Sequence, residues 1–214
     1  MDLGRPLTVV TPTVDADVLA ILAGAETSFT GRQVQQVSAR HSEKGVRNTL
    51  HRLCSQGIVL RERVGSADLY TLNRAHLVAV HIQALADLRS ELLQRISALL
   101  NAWEVSPAFA AMFGSAARGG MRPDSDIDLL VVRPDEVDVE DQGWGDQLTQ
   151  LSEQVTAWTG NDTRVLELSA AEVRTGLASD EQVLTDIHAE EIVLYGSRSY
   201  LRPPPRRRGQ ARRG

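Results

Sequence analysis

The stretch "GSAARGGMRPDSDIDLLVV", residues 114–132, constrains this chain more than any other. The preceding "PAFAAMF" is an apolar run that suits a buried strand, and Gly114-Ser115 breaks it into a turn. Gly119 and Gly120 let a backbone come close to a ligand, because neither carries a Cβ. "DSDIDLLVV" reads as a second strand, along which side chains alternate between faces. Asp126 and Asp128 therefore project to one side, and Ile127 and Leu129 point into a core. Carboxylates two residues apart on a strand lie about 7 Å from each other, close enough to share one or two divalent cations. Oxygen ligands of this kind suit Mg²⁺ (or Mn²⁺), which bridges to the phosphates of a substrate. The Gly-Ser turn offers backbone N–H groups and a hydroxyl to those phosphates, and Arg118 adds a charged contact.

A lone Gly-Ser or a lone Asp-x-Asp occurs often by chance; their ordered combination does not. In that order Gly114, Ser115, Arg118, Gly119, Ser125, Asp126 and Asp128 resemble the DNA polymerase β-type nucleotidyltransferase superfamily, nearest to its minimal nucleotidyltransferase branch. The resemblance spans about residues 105–197. It implies a small mixed sheet flanked by helices, with an NTP such as ATP as substrate or ligand and Mg²⁺ or Mn²⁺ as cofactor. It also implies nucleotidyl transfer to a hydroxyl of a protein, such as a cognate toxin, or of an RNA end. Asp126 and Asp128 are then the metal ligands and catalytic acids. Gly114, Ser115, Arg118, Gly119 and Ser125 are the nucleotide-binding residues.

The superfamily usually adds a third carboxylate from a neighbouring strand. A helix from about Glu140 to Trp158 ends at Gly160, and a strand is expected from Thr163 to Leu168. Aligned on Thr159-Gly160, the third acid's position falls on Arg164. Glu167 and Asp162 are the acids nearby. Strand alternation puts Arg164, Leu166 and Leu168 on one face, with Val165 and Glu167 on the other. Glu167 is thus a catalytic candidate only if the register slips by one residue. Asp162 stands at the strand's start, and the third reading is that no acid completes the set. General-base assistance is typically worth 10²–10⁴-fold. Its loss would leave slow chemistry, or a transcriptional regulator whose transferase-like domain only senses nucleotide.

Residues 1–75 have a different pattern. A short amphipathic helix fits Asp15–Ala25, and a second fits "GRQVQQVSA" with Val34 and Val37 inward. In a third, Ser42 is the N-cap, Val46, Leu50, Leu53 and Cys54 form the apolar stripe, and Gly57 is the stop. The alternating segments "IVLRERV" and "DLYTLN" follow, joined by Gly65-Ser66-Ala67. This order resembles the winged helix-turn-helix of bacterial ArsR- or MarR-type regulators over about residues 14–75. The resemblance implies DNA binding by Ser42, Lys44, Arg47, Asn48, His51 and Arg52 on the third helix, with Arg61 and Arg63 on the wing. From Arg32 to Arg63 seven basic residues face two acids, a local excess that phosphate neutralisation requires. A solvated basic face, or a wing used for dimerisation, is the plainer alternative. The metal-sensing cysteines of some such regulators have no counterpart beyond Cys54, which lies on the apolar stripe.

Between these domains, residues 76–103 contain neither Pro nor Gly. Leu85, Leu88, Leu92, Ile96, Leu99 and Trp103 step by three and four, and Leu77, Leu93 and Leu100 widen the seam. A long linking helix is expected, with excess apolar width to pair two copies in a homodimer or to be buried within one chain. His76 and His81 are five apart and so do not make a zinc pair on one helix face.

The fold class is therefore α+β: a winged helix (1–75), a linking helix (76–103), a nucleotidyltransferase-like domain (104–201) and an Arg/Pro-rich tail (202–214). Charge follows these divisions. Residues 1–103 sum to +2, 104–201 to −13 and 202–214 to +6 within a net −5. The tail cannot form a core and is expected to be disordered, either holding nucleic-acid phosphates or acting as a solubilising end. With one cysteine, no bilayer-length apolar stretch and no signal-peptide pattern, the expectation is a cytoplasmic protein without membrane partners.

Overall fold

The computed structural model describes residues 1–202, so the expected disorder of the tail falls, from residue 203 on, outside the described residues. The chain divides into two compact units, Met1–Leu92 and a second beginning at Leu93.

The first unit follows a 3-10 turn (Pro6–Val9) with α1 (Val14–Ala23), β1 (Phe29–Thr30), α2 (Gly31–Ser38), α3 (Glu43–Ser55), β2 (Val59–Val64), β3 (Ala67–Leu72) and α4 (Ala79–Ala86). Local chemistry sets these boundaries. Thr30 and Gln33 form a reciprocal capping box at α2, and the Ser42 hydroxyl accepts from the Gly45 N–H at the start of α3. The chain turns away after α3 at Gly57, whose φ of +75° is the left-handed region. The strands form an antiparallel sheet in the order β1-β3-β2. Val64 pairs with Ala67, so the β2–β3 turn is the two residues Gly65-Ser66. Val18, Leu22, Val34, Val46, Leu50 and Leu53 fill the core, joined by Val59, Leu72 and Ile82. Each large apolar side chain sealed this way contributes roughly 1.5–3 kcal/mol. The alternation in β2 does not translate into burial. Only Val59 is inside, and Leu60 and Val64 are exposed, because the hairpin extends past the core. Val37, expected inward on α2, is also exposed.

The expected single linking helix over 76–103 is corrected to two helices. α4 ends at Asp87 (φ −90°, ψ 3°), and α5 (Leu88–Asn101) begins directly after it. No breaker residue marks this point. α4 turns Ala79 and Ile82 into the first unit's core, with Leu85 packed beside them. Leu77, counted as part of the apolar seam, precedes α4 and is 91% exposed.

The second unit continues with β4 (Phe109–Phe113), α6 (Gly114–Arg118), β5 (Ile127–Arg133), α7 (Gln142–Thr159) and β6 (Thr163–Ser169). It closes with α8 (Ala170–Ala178), α9 (Gln182–Glu190), β7 (Ile192–Tyr195) and a 3-10 turn at Arg198–Leu201. Its sheet order is β6-β5-β4-β7. β5 and β6 are parallel and joined through α7; β4 is antiparallel to both β5 and β7. Both faces of the central strands are covered, so β4 and residues 129–132 of β5 read as unbroken apolar runs. On one face Phe109, Ala111, Leu130 and Val132 pack with Val173 and Leu177 of α8 and Leu184 and Ile187 of α9. α7 lies over the other, where its Trp144 indole donates to Glu167 at 2.9 Å. Asp141 caps α7, Gly160 (φ +71°) ends it, and Ser169 with Glu172 forms the expected capping box of α8. Among the described residues no helix is long and apolar enough to cross a membrane.

Candidate nucleotide site and nucleic-acid face

At the C-terminal end of β4 the chain turns through Gly114 with φ +70°. A Cβ there would stand 2.5 Å from Asp128 Oδ2, so this position is held to glycine by both backbone conformation and the neighbouring carboxylate. Phe113, one residue earlier, is the cross-strand partner of Asp128, which explains the closeness. Ser115 lies in the first turn of α6, and Gly119 closes that helix in the left-handed conformation. A Cβ on Gly120 would meet nothing within 4 Å, so close approach gives no reason for a glycine there.

Asp126 precedes β5 and Asp128 is its second residue. The loop that presents them is pinned: the Arg122 N–H donates to the Ser125 hydroxyl, and buried Asn161 donates to the carbonyls of Pro123 and Ser125. Ser125, expected to bind nucleotide, has its hydroxyl engaged in this turn. The β5–β6 register places Arg164 directly beside Asp128, and its guanidinium sits 2.7 Å from Asp126 Oδ2. Burial pushes the Asp128 carboxyl above its ordinary value, and the negative charge of Asp126 adds to that; Arg164 opposes both.

The strand register also corrects the reading of Glu167 as a catalytic acid. Glu167 pairs with Val131, on the face opposite Asp128 and Arg164. There its carboxylate accepts from Arg133 Nε at 2.8 Å and from Trp144 Nε1. Asp162 supplies its backbone carbonyl to the Ile127 N–H. Among the described residues no group of three His, Cys, Asp or Glu side chains is arranged to hold a metal.

The acid that does reach the turn is Glu190, the last residue of α9, which the sequence reading passed over. Its Oε1 accepts from the Gly114 N–H at 2.8 Å, and its Oε2 pairs with Arg118. The Arg118 guanidinium holds the Glu190 carboxyl below its usual range, and the charge of Glu190 in turn helps raise Asp128. One signal was available. Glu190 and Glu191 sit at a helix C-terminus, where the helix dipole disfavours anions unless something compensates. Buried Glu191 takes His188 Nδ1 at 3.0 Å and Arg198. Beside the turn lies a cavity of ≈ 620 Å³, lined by Phe113, Gly114, Arg118, Val183, Asp186 and Glu190 among others.

In the first unit, Ser42, Lys44, Arg47, Asn48, His51 and Arg52 are all exposed along α3, as are Arg61 and Arg63 on β2. Their charge is smaller than the local count suggests. Arg52 pairs with Asp15, and Arg61 and Arg63 share Asp68 at 3.0 and 3.1 Å. The two guanidiniums, Arg63 foremost, hold the Asp68 carboxyl below its usual range. Cys54 is half-buried against the core, and burial pushes its thiol up.

Residues 90–175 match the nucleotidyltransferase domain family. No curated protein matches the chain. Among solved structures, a toxin–antitoxin complex with AMP-PNP is 18% identical, covering 49% of this chain and 73% of that one, with a TM-score of 0.35. A mutant of the toxin–antitoxin MntA–HpeT is 15% identical over the same shares, with a TM-score of 0.34. The archaeal chromatin protein TrmBL2 is 14% identical, covering 77% of this chain and 66% of that one, with a TM-score of 0.28.

Proposed function

We propose that this chain is a DNA-binding protein whose nucleotidyltransferase-type domain binds a divalent-metal nucleoside triphosphate and reports its presence, with nucleotidyl transfer at most a slow side activity. The observation that carries the reading is Arg164 beside Asp128, with its guanidinium on Asp126, where a third carboxylate would stand.

The residues fit a metal to a limited degree. Asp126 and Asp128 are hard oxygen donors near enough for the charge of one to raise the other's carboxyl, a repulsion that a divalent cation relieves. A single Mg²⁺ or Mn²⁺ held by these two, with its remaining ligands from phosphate and water, matches the donor set; a second ion would need the missing acid. When bound, the ion would neutralise phosphate charge and polarise the α-phosphate. The chain's own groups do the rest. The Gly114 N–H, the Ser115 hydroxyl and Arg118 would receive the terminal phosphates, and Arg164 would add a cation on the Asp128 face. No carboxylate on the Asp128 face of β6 stands ready to take a proton from an acceptor hydroxyl, so an incoming nucleophile would lose it to solvent.

The first unit supports the DNA half. Its order of three helices and a hairpin, with β1 added to β3, suits a winged helix, and α3 offers Lys44, Arg47, Asn48 and His51 on one exposed side. Many such proteins act as homodimers on paired half-sites, and that assembly belongs to the proposal.

A second reading, a working transferase, is favoured by the intact Asp126/Asp128 pair and the glycine that Asp128 enforces. In it, an acceptor hydroxyl of a protein or RNA end attacks the α-phosphorus in line. The bond to the β,γ-pyrophosphate breaks, and pyrophosphate leaves. One experiment separates the two. The protein is incubated with Mg²⁺ or Mn²⁺ and each α-labelled NTP, with lysate as a source of acceptors, and operator selection is run with and without NTP. Saturable NTP binding with a nucleotide-dependent change in DNA affinity, and no transferred label, supports the sensor. Label transfer abolished by Asp126→Ala with Asp128→Ala supports the enzyme instead.

A further inference from the structure

We propose that Glu190 is a displaceable anionic latch: in the nucleotide-free chain its carboxylate occupies the Gly114 N–H and the Arg118 guanidinium that receive the terminal phosphates, and nucleotide binding expels it. The inference rests on the reading of this turn as the phosphate subsite, and it adds how that site is controlled.

The geometry is that of a phosphate stand-in. One carboxylate oxygen takes a backbone N–H at 2.8 Å and the other takes a guanidinium, the two kinds of donor that a phosphate would use. The side chain is only 19% exposed, so it fills the turn rather than lying across it. The single Gly114 N–H cannot serve two anions at once, and a triphosphate that takes it therefore binds by exchange. The connection behind Glu190 limits what moves. Buried Glu191 is tied to His188 and Arg198, and Ile192 pairs with Met112 in the sheet. Release is therefore taken up by the Glu190 side chain and the last turn of α9, beside the ≈ 620 Å³ cavity that Val183 and Asp186 also line. Nucleotide occupancy is thereby converted into loosening of a specific helix end.

A site blocked in most molecules binds with an affinity reduced by the fraction that is open, so a latch closed in nine of ten molecules weakens binding about tenfold. The test titrates the full-length chain with Mg²⁺–ATP and with inorganic tripolyphosphate by calorimetry, in wild type, Glu190→Gln and Glu181→Gln. The last variant removes one charge at the exposed start of the same helix, outside the turn and the cavity. The expected result is binding about tenfold tighter or more for both ligands in Glu190→Gln, and near-wild-type affinity in Glu181→Gln. Equal affinity in wild type and Glu190→Gln, weaker binding by Glu190→Gln, or an equal gain in Glu181→Gln overturns the latch while leaving the nucleotide reading standing. No binding of either ligand by any of the three overturns the nucleotide reading and the latch with it. Amide exchange on wild-type protein gives a readout that needs no variant: tripolyphosphate should speed exchange at residues 187–190 while Thr185, whose N–H donates to the Glu181 carbonyl, stays protected. Unchanged or slower exchange at 187–190 in the ligand-saturated chain overturns the latch.

Discussion

Arg164 and Asp126 face each other across the β5–β6 pair with nitrogen and oxygen 2.7 Å apart, so the position expected to carry a third acid instead carries its charge opposite. Arg164→Asp reverses this without altering the strand register. Its expected effect is a gain of label transfer from α-labelled NTP, on the order of 10²-fold, the lower end of what a positioned base supplies. The check is initial transfer rate in wild type, Arg164→Asp and Arg164→Ala. A gain in the alanine variant equal to that in the aspartate variant would show relief of Asp126 rather than a new base.

Gly114→Ala should disable nucleotide binding and lower stability together. The new Cβ meets Asp128 Oδ2, and φ +70° adds about 1–2 kcal/mol for a residue with a side chain. Thermal unfolding of Gly114→Ala, Asp128→Ala and the double variant measures the coupling. The double variant should lose less than the sum of the singles, because the clash is then absent.

Asp128 gives the pH dependence. Burial and the charge of Asp126 raise its carboxyl, so the folded chain binds that proton more tightly than the unfolded chain does. Its contribution to stability is present below the unfolded carboxylate value and is lost as pH rises through the raised folded value. Asp128→Asn should therefore raise Tm by a few degrees at pH 7 and by nothing in the acid range below ordinary carboxylate titration, while abolishing metal-dependent NTP binding. Tm measured across pH for both proteins checks the sign.

Glu167→Ala separates a structural acid from a catalytic one. It removes the acceptor of Arg133 Nε and of the Trp144 indole, at a cost of about 1–3 kcal/mol, and should leave NTP affinity unchanged. Denaturant unfolding and calorimetric titration of the same preparation give both numbers.

On the DNA side, Lys44→Ala with Arg47→Ala should weaken binding and reduce the salt slope by about 2, one per lost phosphate contact. Asp68→Asn should do the reverse and tighten binding, by releasing Arg61 and Arg63. Affinity measured over a range of salt concentrations for wild type and both variants tests each direction.

What could be read from the sequence was local. The Gly114-Ser115 turn and the Asp126/Asp128 pair lie within fifteen residues, and turn and strand periodicity alone place them. The parity that sets Glu167 apart from Arg164 was equally legible, since alternation holds whatever the partner strand. Glu190 was not, because it reaches Gly114 only through the β4–β7 pairing, which brings residues 76 apart in sequence together. The break at Asp87 was hidden for a related reason: with no Pro or Gly present, nothing in the apolar spacing marks where α4 ends and α5 starts. The α3–β2 face carries less free charge than residues 32–63 alone imply, because Asp15 and Asp68 lie outside that stretch and the fold brings them to it.

The sharing of Asp68 by two arginines has a consequence for fidelity. Cations already satisfied by a carboxylate gain little from a passing polyanion, since each phosphate contact must first break an existing one. A duplex that also fits α3 can drive the exchange, and a random stretch of nucleic acid cannot do so as readily. In the proposed DNA-binding role, the hairpin's own acid would act as a threshold on indiscriminate sticking, raising the ratio of correct to incorrect sites although it would lower the affinity for both.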